Sequence, residues 1–377
     1  MYGTKSYNKS TMNISTKKER LYAELKVGIL EGRFREKFPP EPVFARELNV
    51  SRNTLRSVYA LLEADGLVIR HPGNGTKIVP GKNSVQKNIL FCYMDHIRHF
   101  TVDFIIPSIF QGAEKALPPE WGLESCPVSH LKELPPENAL RIFKARNICG
   151  IIMLDSYFKG DEAILHLIRE AKIPAVLGYC NPEDHETTQL PAVAKCFRQA
   201  WQEGLQFLRR SGHRHVVTLN SPSEKIRDVY PPEEYQEILR QNGLDPSPEL
   251  ILNLPLDEEL ILEALKKIKT KYTAVYCYSD FYAQSLYRAL KKLKLRIPED
   301  ISVLGYCGHN SGAYFDPPLT TVELDYAGIG IQAVEILKKA PLWFNKKGGK
   351  CPFEYASFTI RERESLLTLK KGENFYE

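Results

Sequence analysis

The chain has 377 residues, 43% of them hydrophobic and 26% charged, with a formal net charge of +5. That length exceeds one ordinary core and asks for two or three folding units. No apolar run approaches the roughly 18–20 residues that a membrane span needs, and the opening MYGTKSYNKSTMNIST has no apolar signal core, so we expect a cytoplasmic protein with a loose tail over 1–16 and no membrane partner.

Charge is unevenly spread. Residues 1–87 hold 16 Lys and Arg against 8 Asp and Glu, and the rest of the chain holds 35 basic and 38 acidic residues. A basic end on a near-neutral body suggests a polyanion-binding module joined to something else. Leu21, Leu25, Ile29 and Leu30 recur at helical spacing over Lys17 to Arg33, and Gly32 fits a stop. FPPEP then breaks the chain, and a short helix is expected over Val43 to Leu48. Ser51 is a good N-cap for a third helix, with Leu55, Val58 and Leu62 facing inward and Gly66 at its end. The outward face carries Arg52, Asn53 and Arg56. Two like charges one turn apart serve little structural purpose, whereas a polyanion would use them. LVIRHPGNGTKIV follows, two β-branched runs around a Pro-Gly-Asn-Gly turn. Helix, helix, turn, helix, hairpin over 17–80 predicts a winged helix-turn-helix, whose recognition helix leads into the major groove with its N-terminal residues. Ser51, Arg52, Asn53, Thr54 and Arg56 would face bases and phosphates, and the hairpin would bring Asn74, Thr76 and Lys77 to the flanking backbone. The plainer alternative is a solvated charged face on a small helical bundle.

A polar linker, PGKNSVQK, covers the 81–87 junction, and the body runs over 88–369. Strand candidates NILFCYM, GIIMLD, AVLGYC, HVVTLN, AVYCYSD and ISVLGYC alternate with helix-period segments such as DEAILHLIREAK, CFRQAWQEGLQFLRRSG and DFYAQSLYRALKKLK. Near-continuous apolar strands between helices predict an α/β fold of two doubly wound parallel sheets, with ligands beyond the carboxyl ends of the strands and hence in a cleft between two lobes. The eight cysteines lack any Cys-x-x-Cys pair and lie mostly in apolar strands, which reads as buried free thiols.

The stretch LNVSRNTLRSVYALLEADGLVIRHPGNGTKIV resembles the GntR-type winged helix, matching its L-x-V-S-R-x-T-[VL]-R, L-E-x-[DE]-G-L and G-x-G-T elements in order. The resemblance implies DNA contacts from Arg52, Arg56 and the wing tip at Gly73, Asn74, Gly75 and Thr76, with Lys77 beside them. One departure is Pro42, which stands where that family carries an arginine in P-[SA]-E-R. The body resembles the LacI/GalR ligand-binding domain, a relative of periplasmic sugar-binding proteins, on SGHRHVV and on the run from AVYCYSD through IPEDISVLGYC to PPLTTVELD. That resemblance implies one lobe of about 88–195 and 310–340 and a second of about 196–309 and 341–369. The departures fall in its ligand site. Ser279-Asp280 replaces an Asn-Asp pair, Cys307-Gly308 replaces aspartates, and Lys195 or Cys196 occupies another aspartate position. Arg227 is the nearest arginine to one the family carries. Candidate effector contacts are therefore Asp95, His96, Phe104, Tyr157, Tyr179, Arg227, Tyr278, Asp280 and Tyr306. Aromatics stack on sugar rings and aspartates bind paired hydroxyls; the resemblance implies a saccharide, an unusual one, with a less hydroxylated ligand or a degenerate site as the alternatives.

Weaker signals point elsewhere. GIGIQA matches a dinucleotide fingerprint, but no strand runs into it, and a helix-packing glycine pair is the alternative. His96 and His99 near Asp95 suggest either a metal pair or a cleft lining, and His213 and His215 read as structural. No nucleophile elbow, phosphate loop or cofactor motif occurs. We therefore expect no cofactor and no catalytic residues. The expected function is a ligand-responsive bacterial transcription regulator, most simply a repressor. Its partners would be double-stranded operator DNA, a small-molecule effector and a second copy in a homodimer. The alternatives are an enzyme and a solute-binding protein built on the same two-lobed body.

Overall fold

The computed structural model describes residues 17–30, 33–34, 36–71, 75–79, 87–94, 104–133, 135–222, 230–345 and 351–369. The N-terminal module consists of α1 (Lys17–Leu30), α2 (Glu41–Glu47), α3 (Arg52–Ala64), β1 (Val68–His71) and β2 (Gly75–Ile78). Leu21, Leu25, Phe44, Leu55, Val58 and Leu62 form one buried core, the set that the helical spacing selects. Phe38 stacks between Phe44 and Tyr59 at centroid distances of 5.3 Å and closes its base. The module is tied at its edge by Lys26, whose ammonium donates to Asp65 at 2.7 Å, just beyond the end of α3. The second helix begins at Glu41, two residues before the expected Val43. Pro42 does not delay it, because the first helical N–H groups have no partner to lose. β1 and β2 pair antiparallel, with Val68 opposite Ile78 and His71 opposite Gly75.

The body opens with β3 (Lys87–Tyr93), α4 (Ile105–Ala116), β4 (Trp121–Pro127), α5 (Val128–Glu133), α6 (Pro136–Ala145), β5 (Ile148–Leu154), α7 (Ala163–Ala171), β6 (Ala175–Cys180), α8 (Pro182–Thr188) and β7 (Ala192–Ala194). It continues with α9 (Phe197–Arg210), β8 (Val216–Asn220), α10 (Pro232–Gln241), β9 (Ile251–Asn253), α11 (Glu258–Lys267), β10 (Ala274–Cys277) and α12 (Asp280–Lys292). It ends with β11 (Ser302–Cys307), β12 (Thr320–Leu324), α13 (Tyr326–Lys338), α14 (Ala340–Trp343), β13 (Phe353–Tyr355) and β14 (Phe358–Arg361). Two six-stranded sheets result, in the orders β13-β7-β6-β5-β3-β4 and β14-β12-β11-β10-β8-β9. In the first, β3 pairs parallel with β4 and β5, and β5 with β6. In the second, β8 to β12 pair parallel and β14 adds an antiparallel edge. The expected α/β fold with two parallel sheets is the observed one.

The chain divides into two compact units. One comprises Met1–Asp95, Ala113–Ala192 and Ala333–Pro352, and the other His96–Gly112, Val193–Gln332 and Phe353–Glu377. This differs from the anticipated lobes at 310–340. β12 hydrogen-bonds to β11 and β14, which carries that stretch into the second unit as far as Gln332. The N-terminal module falls in the first unit, where α1 runs against α6.

The core of the second unit is unusually aromatic. Trp201 of α9 stacks on Tyr276 of β10 at 3.8 Å and 9°, and Phe197, Tyr235 and Tyr306 pack around the pair. Gly204, one turn after Trp201, faces the Tyr276 ring, and a Cβ there would overlap its hydroxyl and come within 2.8 Å of Cε1. His213 is equally fixed. Its Nδ1 pairs with Thr273 at 2.8 Å and its Nε2 with the Leu367 carbonyl at 3.0 Å, and burial pushes its pKa down to about 4. The thiols of Cys92, Cys180, Cys196 and Cys277 are buried, and none of the eight cysteines forms a disulfide. Gly204→Ala is expected to cost about 1–3 kcal/mol, because the stacked ring cannot move aside. Chemical denaturation would measure the loss; equal or higher stability, as helix propensity alone predicts, would contradict this packing.

Candidate nucleic-acid interface and ligand-binding edge

The third helix is capped as its sequence demands. Ser51 is extended, and its hydroxyl accepts from the Thr54 N–H at 3.1 Å, which satisfies one of the free donors at the helix start. With Leu55, Val58 and Leu62 buried, the 3.6-residue repeat turns Arg52, Asn53 and Arg56 outward, and all three are exposed. Thr54 is half-buried and its hydroxyl contacts that of Ser51 at 2.8 Å. Arg56 is held from the neighbouring helix: its Nε donates to Glu41 Oε1 at 2.8 Å. In the hairpin, Gly75 and Lys77 are exposed, and Gly75 takes φ +79°, a left-handed value that glycine adopts without strain. Thr76 lies differently from the expected wing contact. It is only 8% exposed, on the inner face of β2, and its carbonyl accepts from the Phe38 N–H. Its cross-strand partner Arg70 lies on the same face and is held by Glu63 at 2.8 Å, while Ile69 and Lys77 take the outward face. Gly73 and Asn74 lie outside the described residues.

Parallel strands of the second sheet end together, and the residues just past them form its carboxyl edge. Asn220 ends β8, Tyr278 and Ser279 follow β10, and Gly308 and His309 follow β11, which ends at Cys307. Asn220 Oδ1 and Ser279 Oγ are buried with no hydrogen-bond partner among the described residues. Buried polar atoms are rarely left so, and two on adjacent strands suit a ligand hydroxyl or an ordered water. The His309 ring stands between Phe104 at 4.7 Å and Phe281 at 4.9 Å. Its Nδ1 accepts from the Ser311 N–H at 3.1 Å, which leaves the ring proton on Nε2. Tyr278 is half-buried beside Phe197 at 5.8 Å. The edge therefore offers ring faces and a few neutral hydrogen-bonding groups.

Two anticipated contacts of this edge are core residues instead. Tyr306 is buried beneath Phe197 at 5.1 Å. Asp280 is 2% exposed and accepts from the Thr321 hydroxyl at 2.7 Å and from the His309 N–H. Desolvation pushes its pKa up to about 7, although Thr321 and the His309 amide favour its charged form. The carboxylate thus ties the loop after β11 to β12. Asn220 and His309 were missed from sequence. Asn220 is the last letter of HVVTLN, and the strand-end rule alone could have marked it. His309 carries no local signal.

In the first unit, Tyr157 follows β5 and Tyr179 is the next-to-last residue of β6, both with left-handed φ, 67° and 53°. Asp184 holds the first of these turns by accepting from the Tyr157, Phe158 and Asn181 N–H groups. Asp155, just past the end of β5, was also missed; burial raises its pKa, and it stands at this sheet's carboxyl edge. Asp95, His96, His99 and Arg227 lie outside the described residues. A cavity of about 460 Å³ lined by Arg169, Lys172, Trp343 and Cys351 includes Ala175, at the start of β6, and so lies at the opposite end of that sheet from the strand ends described here. Among the described residues no group of three His, Cys, Asp or Glu side chains is placed to hold a metal, and no helix is long and apolar enough to cross a membrane.

Comparison with known proteins adds to this geometry. Residues 17–78 match the model of bacterial regulatory proteins of the gntR family, and residues 205–366 match that of a periplasmic binding protein-like domain. The HTH-type transcriptional repressor PurR of Photobacterium profundum is 26% identical over 202 residues, 52% of this chain and 59% of that protein. Its counterpart in Vibrio atlanticus is 28% identical over 201 residues with the same coverage. The chain thus spans about three-fifths of the length of the curated relatives it matches. Among solved structures, the LacI family regulator CCPA of Weissella paramesenteroides with bound sucrose aligns at TM-score 0.56 and 16% identity, over 75% of this chain and 100% of that one. A LacI family regulator of Enterococcus faecium with bound ribose aligns at 0.54 and 19%, over 75% and 100%. These likenesses establish the body's fold.

The buried Asp280 has a pH signature. Its folded pKa lies above the unfolded value near 3.9, so its contribution to stability is fully present below pH 4 and is lost as pH rises through about 7. The slope over that window is expected to reach ~1.4 kcal/mol per pH unit. Asp280→Asn should flatten it, with the amide oxygen accepting from the His309 N–H and the amide NH2 donating to the Thr321 hydroxyl oxygen. Denaturant titrations from pH 4 to 8 would show it, and parallel profiles for the two proteins would contradict the assignment.

Proposed function

We propose that this chain is a ligand-responsive transcription regulator that represses by binding operator DNA through α3 and the β1–β2 wing. The observation that carries the reading is the Ser51-capped helix with Arg52, Asn53 and Arg56 exposed on its leading turns, within residues that match the gntR model. Arginine at the start of a groove-bound helix pairs bidentately with guanine or with phosphate. The proposal extends to a homodimer, since two-fold DNA readers double their contacts across paired half-sites. It has no catalytic step and places the protein in the cytoplasm.

We assign the effector to the carboxyl edge of the second sheet, contacted by Phe104 and Tyr278 with Asn220, Ser279 and His309. A carbohydrate is the class assigned, because regulators of this fold hold sucrose and ribose. The scarcity of carboxylates at the second sheet's edge favours a sugar with a broad apolar face or few hydroxyls. The effector can shift operator affinity only by binding one conformational state of the chain better than another, typically by ~1–3 kcal/mol.

Arg52→Ala and Arg56→Ala are each expected to weaken specific operator binding by ~1–3 kcal/mol in fluorescence anisotropy at fixed salt. Unchanged affinity in the double variant would remove α3 from the interface. Ribose, sucrose and glucose should be screened by thermal shift; a sugar that binds at 100 times its Kd stabilises by ~2.7 kcal/mol. Ser279→Ala should reduce that shift, and an undiminished shift would place the sugar elsewhere.

A further inference from the structure

We propose that Glu41 is a positioning residue for Arg56, and that the pair sets the sequence selectivity of the DNA-binding face. This rests on reading α3 as the recognition helix. A carboxylate among DNA-facing cations is a cost for binding any polyanion, so its presence needs a reason. Glu41 reaches Arg56 from another helix, at 2.8 Å to Nε, with the two side chains 27% and 59% exposed. No other partner of the Arg56 guanidinium occurs among the described residues, so the Nη1–Nη2 edge stays available. That edge is the one able to make two parallel hydrogen bonds to O6 and N7 of guanine.

The carboxylate is itself rigidly carried. Glu41 is the first residue of α2, between Pro40 and Pro42, and Phe44 and Ala45 anchor that helix in the core. Binding through Nε fixes a side chain that otherwise samples many rotamers, so less freedom is lost when the fork meets a base. The adjacent negative charge also weakens the attraction of Arg56 for phosphate, the contact that carries no sequence information. Glu41 therefore trades affinity for any DNA against discrimination between sequences. Its plain alternative is an acidic residue that stabilises the start of α2 through the helix dipole.

The two roles separate in one experiment. Full-length wild type, Glu41→Gln and Arg56→Ala are titrated against a duplex selected from random sequence by the wild type, and against its scrambled counterpart, over a salt series. Positioning predicts that Glu41→Gln binds scrambled DNA at least about twofold more tightly, with a salt slope steeper by up to ~0.9. Its ratio of selected to scrambled affinity should fall about tenfold, with its melting temperature unchanged. A ratio equal to wild type, while Arg56→Ala collapses it, overturns the proposal and leaves the DNA-binding reading intact. A drop in both affinities together with melting temperature makes Glu41 a helix stabiliser only. If Arg56→Ala leaves the ratio intact, the recognition-helix reading itself is wrong.

Discussion

The carboxyl edge of the second sheet depends on one buried carboxylate. Asp280 begins α12, yet its oxygens hold the His309 N–H and the Thr321 hydroxyl. One side chain thereby joins the ends of β10, β11 and β12. Gly305 makes room for it, since any Cβ there would overlap Asp280 Oδ1. The arrangement buries a titratable group at a cost in solvation, which its raised pKa records. In return the loop after β11 is fixed, and the His309 ring is set between Phe104 and Phe281. Left-handed Cys307 and Gly308, at φ 93° and 72°, turn the chain sharply at that point.

Where local pattern decides structure, the sequence was readable. The cap at Ser51, the 3.6-residue stripe of α3 and the near-continuous apolar runs of β3, β5, β6, β8, β10 and β11 all form as their letters require. β4 was not anticipated, because WGLESCP is an edge strand of half-buried residues with no apolar run. Nor were β7 and β9, whose three residues each are too short to show a period. Contacts set by distant partners were equally hidden. Thr76 turns inward because the segment around Phe38 pairs with β2, Tyr306 belongs to the Trp201 stack, and β12 joins the second sheet by pairing with β11. Asp280 looked like a strand-end ligand residue because its position said so. Only the fold reveals that Thr321, 41 residues away, already claims it.

The two functional faces follow different physics. The proposed DNA face of the module is a surface of charge placed on a small core, with selectivity assigned to how freely each arginine moves. In the proposed effector site the strand ends carry aromatic rings and neutral polar groups where the resemblance to sugar sites implies carboxylates. A regulator needs both, with coupling supplied by whichever conformational state each ligand prefers.

The central claim is that this chain reads DNA sequence as a two-fold assembly through α3. Repeated selection of random duplexes by the full-length protein at about 150 mM salt, near-physiological conditions, tests it most directly. The account predicts enrichment of a motif with two inverted half-sites spaced by about one helical turn or a multiple of it. Recovery of sequences no different from the starting pool would contradict it.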